Sequence, residues 1–335
     1  MVNVTVIGAS GYVGAELIKI LSNHPEVEKI VPVSRKYKGQ RTSSLHRNLY
    51  GIFDRKFEDM NIERIDSDFV FSATPHGASM SIVPELIDKG LKIIDLSSDY
   101  RLSREIYEKV YGKHSNPELI KKAVYGLPEL FRKEIKKAQL VANPGCYVTS
   151  VLLALLPLSE FQDKFDTERV IVDSKSGTSG AGAKPSEFLH HPEVHDNLKP
   201  YKITEHRHRP EMEYVLSNVF KKIRIGFTPT LIPIVRGILS NVYIFGHLDG
   251  LRDRYEDYYR NEVFVRIVET ATVKEVVNTN FCDLSIHYDK NTNRTIIISV
   301  IDNLIKGASG QAVQNMNLML GIDEKSGLSL IGNHP

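Results

Sequence analysis

Cysteine is scarce in this sequence, with two in 335 residues. That is too few for a disulfide framework and fits a reducing, cytoplasmic setting. No run approaches the roughly 20 apolar residues that cross a bilayer, so no helical membrane span is expected. The N-terminus has no basic segment leading into an apolar one and a cleavage site. Its "MVNVTVIGASGYVG" reads as a strand from the first residues, not as a signal peptide. Charge of one sign is also lacking. A net charge of +2 argues against nucleic acid as the main partner. No internal repeat and no low-complexity linker is present. The length exceeds one ordinary core and suits two domains.

What is there begins with a nucleotide-binding pattern. "VNVTVI" is a short β-rich run, followed by "GASGYVGAELIKIL". Gly8, Gly11 and Gly14 have the spacing GxxGxxG, and Leu17, Ile18 and Leu21 then recur at helical spacing. A strand, a glycine turn and a helix start bring backbone N–H groups to a pyrophosphate. The next strand, "VEKIVPVS", ends where an NAD-binding chain usually offers Asp or Glu to the ribose. Here stand Ser34, Arg35, Lys36 and Lys38. A basic, hydroxyl-bearing end suits a 2′-phosphate and hence NADP(H). The alternative is a solvated basic loop. "SDFVFSATPHGAS", "LKIIDLSSDYRL" and "AQLVANPG" are further strands ending in polar turns, so an α/β, doubly wound parallel sheet is expected. Its ligands belong beyond the strand C-termini, among Thr74, Pro75, His76, Ser97, Asp99, Arg101, Asn143 and Cys146.

Cys146 follows Asn-Pro-Gly and opens the helical run "YVTSVLLALLPL". A helix start favours the thiolate, and a cysteine nucleophile can form a thioester with an acyl substrate. Quiet packing is the alternative. Cys282, in "NTNFCDLSIHY", has no such setting and reads as structural or as a loop residue. Five histidines fall between 190 and 208, and "EHRHRPEMEYVLSNVF" carries His206 and His208 into an expected helix. One imidazole can serve as acid and base. A His-x-His pair can also bind zinc, but no further ligand cluster with recognisable spacing accompanies it, and no metal is expected. "SKSGTSGAGAKP", 174–185, can form a nest of N–H groups for an anion, or a flexible loop. "IKGASGQAVQNMNLML" is a glycine-rich turn into a helix. There Asn315 can reach a nicotinamide amide, or can simply help to cap.

The ordered set "GASGYVG", "SATPHGAS", "DLSSDYRL", "VYGLPEL", "NPGCY", "SGTSGAGAKPSE", "HRHRPE" and "KGASGQAVQN" resembles the N-acetyl-γ-glutamyl-phosphate reductases, over nearly the whole chain. The resemblance implies a Rossmann-type, NADP-binding domain at 1–145 plus 306–335. It implies an α+β catalytic and dimerisation domain at 146–305. Cys146 would attack an acyl phosphate, and NADPH would reduce the thioester to a semialdehyde. His208, in preference to His206, would be the acid/base, with Glu211 orienting the histidine region. Arg101, Asn143 and Arg236 would bind substrate. Gly8, Ser10, Gly11, Tyr12, Val13 and Pro75 would contact the cofactor, with Ser34 and Arg35 near its 2′-phosphate. Gly177, Gly180 and Ala181 would line it, and Asn315 would approach the nicotinamide. A homodimer or homotetramer is implied, with a small-molecule acyl phosphate as substrate.

The run "FLHHPEVHDNLKPYK" resembles the branch whose substrates ride on a small acidic carrier protein, in lysine or arginine biosynthesis. Two other readings compete. One is aspartate-semialdehyde dehydrogenase, with the same cysteine chemistry. The other is a non-catalytic NADP sensor, which would not need Cys146 and the histidine segment together.

Overall fold

The computed structural model describes residues 1–332. The chain forms two compact units. The first comprises Met1–Pro144 and Ala308–Leu328. The second comprises Gly145–Gly307 and the tail from Ser329. In that tail, a Cβ on Gly332 would meet the Glu275 carbonyl oxygen at 2.7 Å.

The first unit is built on a six-stranded sheet in the order β2-β1-β3-β4-β6-β5. The strands are β1 (Val2–Ile7), β2 (Val27–Val33), β3 (Phe69–Ser72), β4 (Lys92–Asp95), β5 (Val124–Tyr125) and β6 (Leu140–Ala142). Every pairing is parallel. Such strands are covered on both faces, which accounts for the continuously buried runs Val4–Ile7 and Phe69–Phe71. β5, in "VYGLPEL", has only two residues and gave no strand signal in the sequence. The helix Tyr12–Leu21 buries Leu17, Ile18 and Leu21, the residues at helical spacing. Because β2 and β3 flank β1 on opposite sides, the strand order reverses at β1. The crevice beyond the ends of β1 and β3 is where such sheets bind ligands.

The second unit holds a mixed seven-stranded sheet in the order β11-β12-β13-β10-β7-β9-β8. Its strands are β7 (Val170–Ser176), β8 (Lys199–Pro200), β9 (Ile225–Leu231), β10 (Ile238–Phe245), β11 (Val265–Ile267), β12 (Cys282–Asp289) and β13 (Arg294–Ile301). Alternation is clean on β7, β9 and β10, so one face is core and the other is half exposed. The helix Cys146–Leu155 packs on the core face, against β10 and β13. Tyr147–Leu155 are all buried. Each of its leucines and valines contributes about 1.5–3 kcal/mol of burial. Cys282 is not in a loop. It lies on β12 and is fully buried.

Candidate active site

In the first unit, the glycine turn is shaped by close approach. Gly8 has φ +81°, and a Cβ there would fall 2.2 Å from the Ala73 carbonyl oxygen, at the end of β3. A Cβ on Gly14 would lie 2.4 Å from the Gly8 carbonyl oxygen. Those two glycines allow β1, β3 and the helix to touch. Gly11 differs: its Cβ would meet only the Gly8 oxygen, at 3.5 Å. Space is therefore left over the helix start, at the position where a pyrophosphate approaches backbone N–H groups. Ser34 Oγ donates to Ser10 Oγ at 2.9 Å, joining the end of β2 to the turn, and Arg35 beside it is exposed. Val13 lies in the first turn of the helix, and Tyr12 there is exposed. These residues fit a dinucleotide, and no carboxylate lies between Ser34 and Arg41 in the chain after β2. Lys38 is drawn aside into an ion pair with Asp59, at 2.7 Å. His46 was not foreseen. Its Nε2 lies 2.9 Å from the Ala9 carbonyl oxygen and braces the same turn.

Beyond β3 and β4 a buried acidic network fixes two loops. Asp99 accepts the Gly77 N–H with both carboxylate oxygens, at 2.8 and 2.9 Å, and the Tyr107 hydroxyl at 2.9 Å. His114 Nε2 lies 2.8 Å from the Asp99 carbonyl oxygen. The turn holding Pro75 is thus tied to the loop holding Arg101. Arg101 is 8% exposed, and its Nη2 donates to the Leu96 carbonyl at 2.8 Å. Asp95 is fully buried and accepts from Ser79 and Ser97. Burial pushes its carboxyl up to about 6, against the pull of those two hydroxyls.

Asn143 and Asn315 form one buried amide cluster. Asn143 Nδ2 donates to the Ala308 carbonyl at 3.1 Å, and its Oδ1 accepts from Asn315 Nδ2 at 3.1 Å. Asn315 Nδ2 also donates to the Gly126 carbonyl, at 2.9 Å. Asn143 is only 1% exposed, so it braces the end of β6 instead of presenting its amide at a surface. Asn315 is fully buried as well, and its Oδ1 has no hydrogen-bond partner among the described residues.

In the second unit, Cys146 is the first residue of its helix, with Gly145 as the extended N-cap. Glu211, 1% exposed, accepts the Gly145 N–H at 2.9 Å. The carboxylate expected to orient the histidines therefore also holds the cysteine turn. A Cβ on Gly145 would lie 2.7 Å from His208 Nε2, and one on Gly307 would lie 2.8 Å from Cys146 Cβ. Both glycines are required by these approaches, and the first brings the His208 ring onto the residue next to Cys146. His208 opens the helix His208–Leu216, and its N–H donates to His206 Nδ1 at 3.1 Å. His206 is enclosed by Tyr147, Tyr201 and Phe227. Burial, then the neighbouring charges of His208, Lys202 and Arg207, lowers His206 to about 3. It is therefore neutral at physiological pH. Tyr201 was missed in the sequence; its hydroxyl donates to that of Tyr147 at 3.2 Å. Burial pushes Tyr201 up to about 12.

One expectation changes here. The start of the loop after β7 is not an open anion nest. The N–H groups of Gly177, Thr178 and Ser179 already donate to the carbonyls of Gly237, Ile234 and Val235. A Cβ on Gly177 would meet the Val235 carbonyl oxygen at 2.7 Å, so this glycine serves that contact. Gly180 and Ala181 complete the 3₁₀ turn Thr178–Ala181. Among the described residues, no three His, Cys, Asp or Glu are grouped to hold an ion. Arg236 is held by Asn278 Oδ1 at 3.2 Å and by Asp302 Oδ2 at 3.5 Å. No motif in the sequence signalled Asp302 or Asn278.

Residues 3–138 match the family model for the semialdehyde dehydrogenase NAD binding domain, and residues 146–303 match that for the semialdehyde dehydrogenase dimerisation domain. The N-acetyl-gamma-glutamyl-phosphate reductase of Archaeoglobus fulgidus is 50% identical over 97% of each chain. Those of Methanothrix thermoacetophila and Methanocaldococcus jannaschii are 47% and 48% identical over the full length of both chains. Among solved structures, aspartate semialdehyde dehydrogenase II of Vibrio cholerae superposes with TM-score 0.72 at 18% identity, covering 96% of this chain and 98% of that one. At that identity the likeness shows the fold alone.

Proposed function

Since this chain belongs to the N-acetyl-γ-glutamyl-phosphate reductase family, we propose that it uses NADPH to reduce N-acetyl-γ-glutamyl phosphate to the semialdehyde, in arginine biosynthesis. Phosphate is released, and the reaction runs through a thioester on Cys146. The observation that carries the thioester is local. Cys146 heads a buried helix, and the His208 ring lies on the adjacent Gly145.

The chain's own residues divide the work. The helix start stabilises the Cys146 thiolate. The thiolate attacks the acyl carbonyl, and the bond from that carbon to the phosphate oxygen breaks. NADPH, when bound, supplies the hydride that reduces the thioester. His208 takes the thiol proton and returns it to the Cys146 sulfur when the carbon–sulfur bond breaks and the semialdehyde leaves. His206, held neutral by its aromatic enclosure, positions His208 through the backbone N–H. We assign the guanidinium groups of Arg101 and Arg236, each anchored by a protein oxygen, to binding anionic groups of the substrate. Gly8, Gly11, Ser10, Ser34 and Arg35 would hold the pyrophosphate and the 2′-phosphate.

The outward face of the seven-stranded sheet supports a homo-oligomer. Tyr243 lies in register with Ile171 on one side and Ile296 on the other, and Ile171 and Phe245 are 44% and 40% exposed. A carrier-linked substrate would call for a basic docking face. In the run that suggested it, Lys199 is already placed over Phe188 and 3.8 Å from Glu193. We favour the free acetylated substrate. No helix is long and apolar enough to cross a membrane among the described residues, and we place the enzyme in the cytoplasm.

The test runs the reaction in reverse, with NADP⁺, phosphate and N-acetylglutamate semialdehyde. Phosphate-dependent NADPH formation is expected, and its loss in Cys146→Ser. No NADPH from protein that binds NADP⁺ would contradict the proposed substrate.

A further inference from the structure

Beneath the cysteine helix lies a set of buried hydroxyls that the chemistry above does not use. Ser174 on β7, Ser240 on β10 and Ser299 on β13 stand directly opposite one another in register. All three are fully buried on the face that carries the helix. Ser174 Oγ and Ser240 Oγ are 2.7 Å apart. From the helix, Ser150 Oγ reaches down to lie 3.0 Å from Ser240 Oγ and 3.0 Å from Ser299 Oγ. Cys282 Sγ, on β12, closes the row at 3.4 Å from Ser299 Oγ.

We infer that Ser150, Ser240 and Ser299, with Ser174 behind them, are positioning residues that set the height and rotation of the Cys146 helix. Small side chains alone would let the helix approach the sheet, and alanines would serve for that. Hydroxyls add direction. Ser150 can meet two strands at 3.0 Å only in one register of helix on sheet, and each lost bond leaves a buried oxygen unsatisfied. Ser150 is four residues beyond Cys146, so the two share a helix face one turn apart. Any shift at Ser150 is carried to the sulfur. The upper turn has little slack, because Gly307 backs the Cys146 Cβ and His208 lies on Gly145.

This inference rests on Cys146 being the nucleophile, and its test separates the two. kcat and KM would be measured for Ser150→Ala, Ser240→Ala and Ser174→Ala, on folded enzyme quantified by circular dichroism and NADP⁺ binding. A displacement of the reacting atom by a fraction of an ångström costs on the order of tenfold or more in rate. The expected result is a fall in kcat of about tenfold for Ser150→Ala and Ser240→Ala, with KM kept within about twofold. Ser174→Ala, one bond further out, should fall by about threefold. Should either inner variant fail to fold, the remaining inner variant and Ser174→Ala decide. Unchanged kcat in the folded variants, with only a lower melting temperature, would overturn the positioning role. Retained turnover in Cys146→Ser would instead overturn the nucleophile, whatever the serines do.

Discussion

In the six-stranded sheet most of the residues of interest stand beyond the strand ends: Ser34 after β2, Pro75 after β3, Arg101 after β4, Asn143 after β6. In the seven-stranded sheet the polar residues of interest lie within the strands, as with Ser174, Ser240 and Ser299. The first arrangement uses a parallel sheet to gather loops at one edge. The second uses a sheet face as a bed for one helix. Loops gathered at an edge can be exchanged singly, whereas a bed must match the helix along its length. The two arrangements should therefore fail differently on mutation: the edge in ligand affinity and loop stability, the bed in turnover.

The largest effect expected lies on the bed. Cys146→Ser should lower kcat by about 10⁴-fold or more, the scale seen when a nucleophile is removed. Its NADP⁺ affinity, measured by fluorescence titration, should stay close to that of the unaltered enzyme. Next comes His208→Asn, with an expected loss of about 10²–10⁴ in kcat. His206→Asn should cost far less turnover, because an imidazole lowered to about 3 is a weak base and its Nδ1 already accepts the His208 N–H; steady-state kinetics on the pair decides between them.

On the edge, Gly14→Ala forces a methyl to within 2.4 Å of the Gly8 carbonyl oxygen. A backbone clash of this kind costs about 1–3 kcal/mol, occasionally more. Lower stability in urea and weaker NADP⁺ binding are expected, with little change in kcat at saturating cofactor. Asp95→Asn probes the same edge through pH. The native carboxyl sits at about 6 against 3.8 in a free chain. The native state therefore holds its proton more tightly. The associated stability is fully present below about pH 4 and is lost as pH rises through 6, by about 3 kcal/mol at most. Urea melts of Asp95→Asn from pH 4 to 7.5 should show a flatter profile than the unaltered enzyme. An equally steep profile would assign the slope to other groups. Smallest in its effect on chemistry, Ile171→Asp on the outward sheet face should lower the mass in sedimentation while leaving the fold intact.

The same contrast explains what could be read from sequence. Gly8, Gly11 and Gly14 sit within seven residues, so strand, turn and helix appear as one local pattern. Four of the six strands of the edge announced themselves as apolar runs after the first, and only two-residue β5 was silent. Cys146 was legible because its helix follows at once. Asp302, Asn278 and Tyr201 were not, since each meets its partner across a distance that no local pattern records. The loop at 174–185 misled for the same reason. Its glycines suggested an open nest, but the carbonyls that close it come from residues 234–237. Cys282 was uninformative in sequence because its neighbour Ser299 lies on another strand.

The most direct measurement of the central claim is mass spectrometry of the enzyme mixed with N-acetyl-γ-glutamyl phosphate in the absence of NADPH. The account predicts a single acyl adduct, mapped to the Cys146 peptide, removed by added NADPH and absent in Cys146→Ser. An active enzyme that carries no adduct, or carries it on Cys282, would contradict the account.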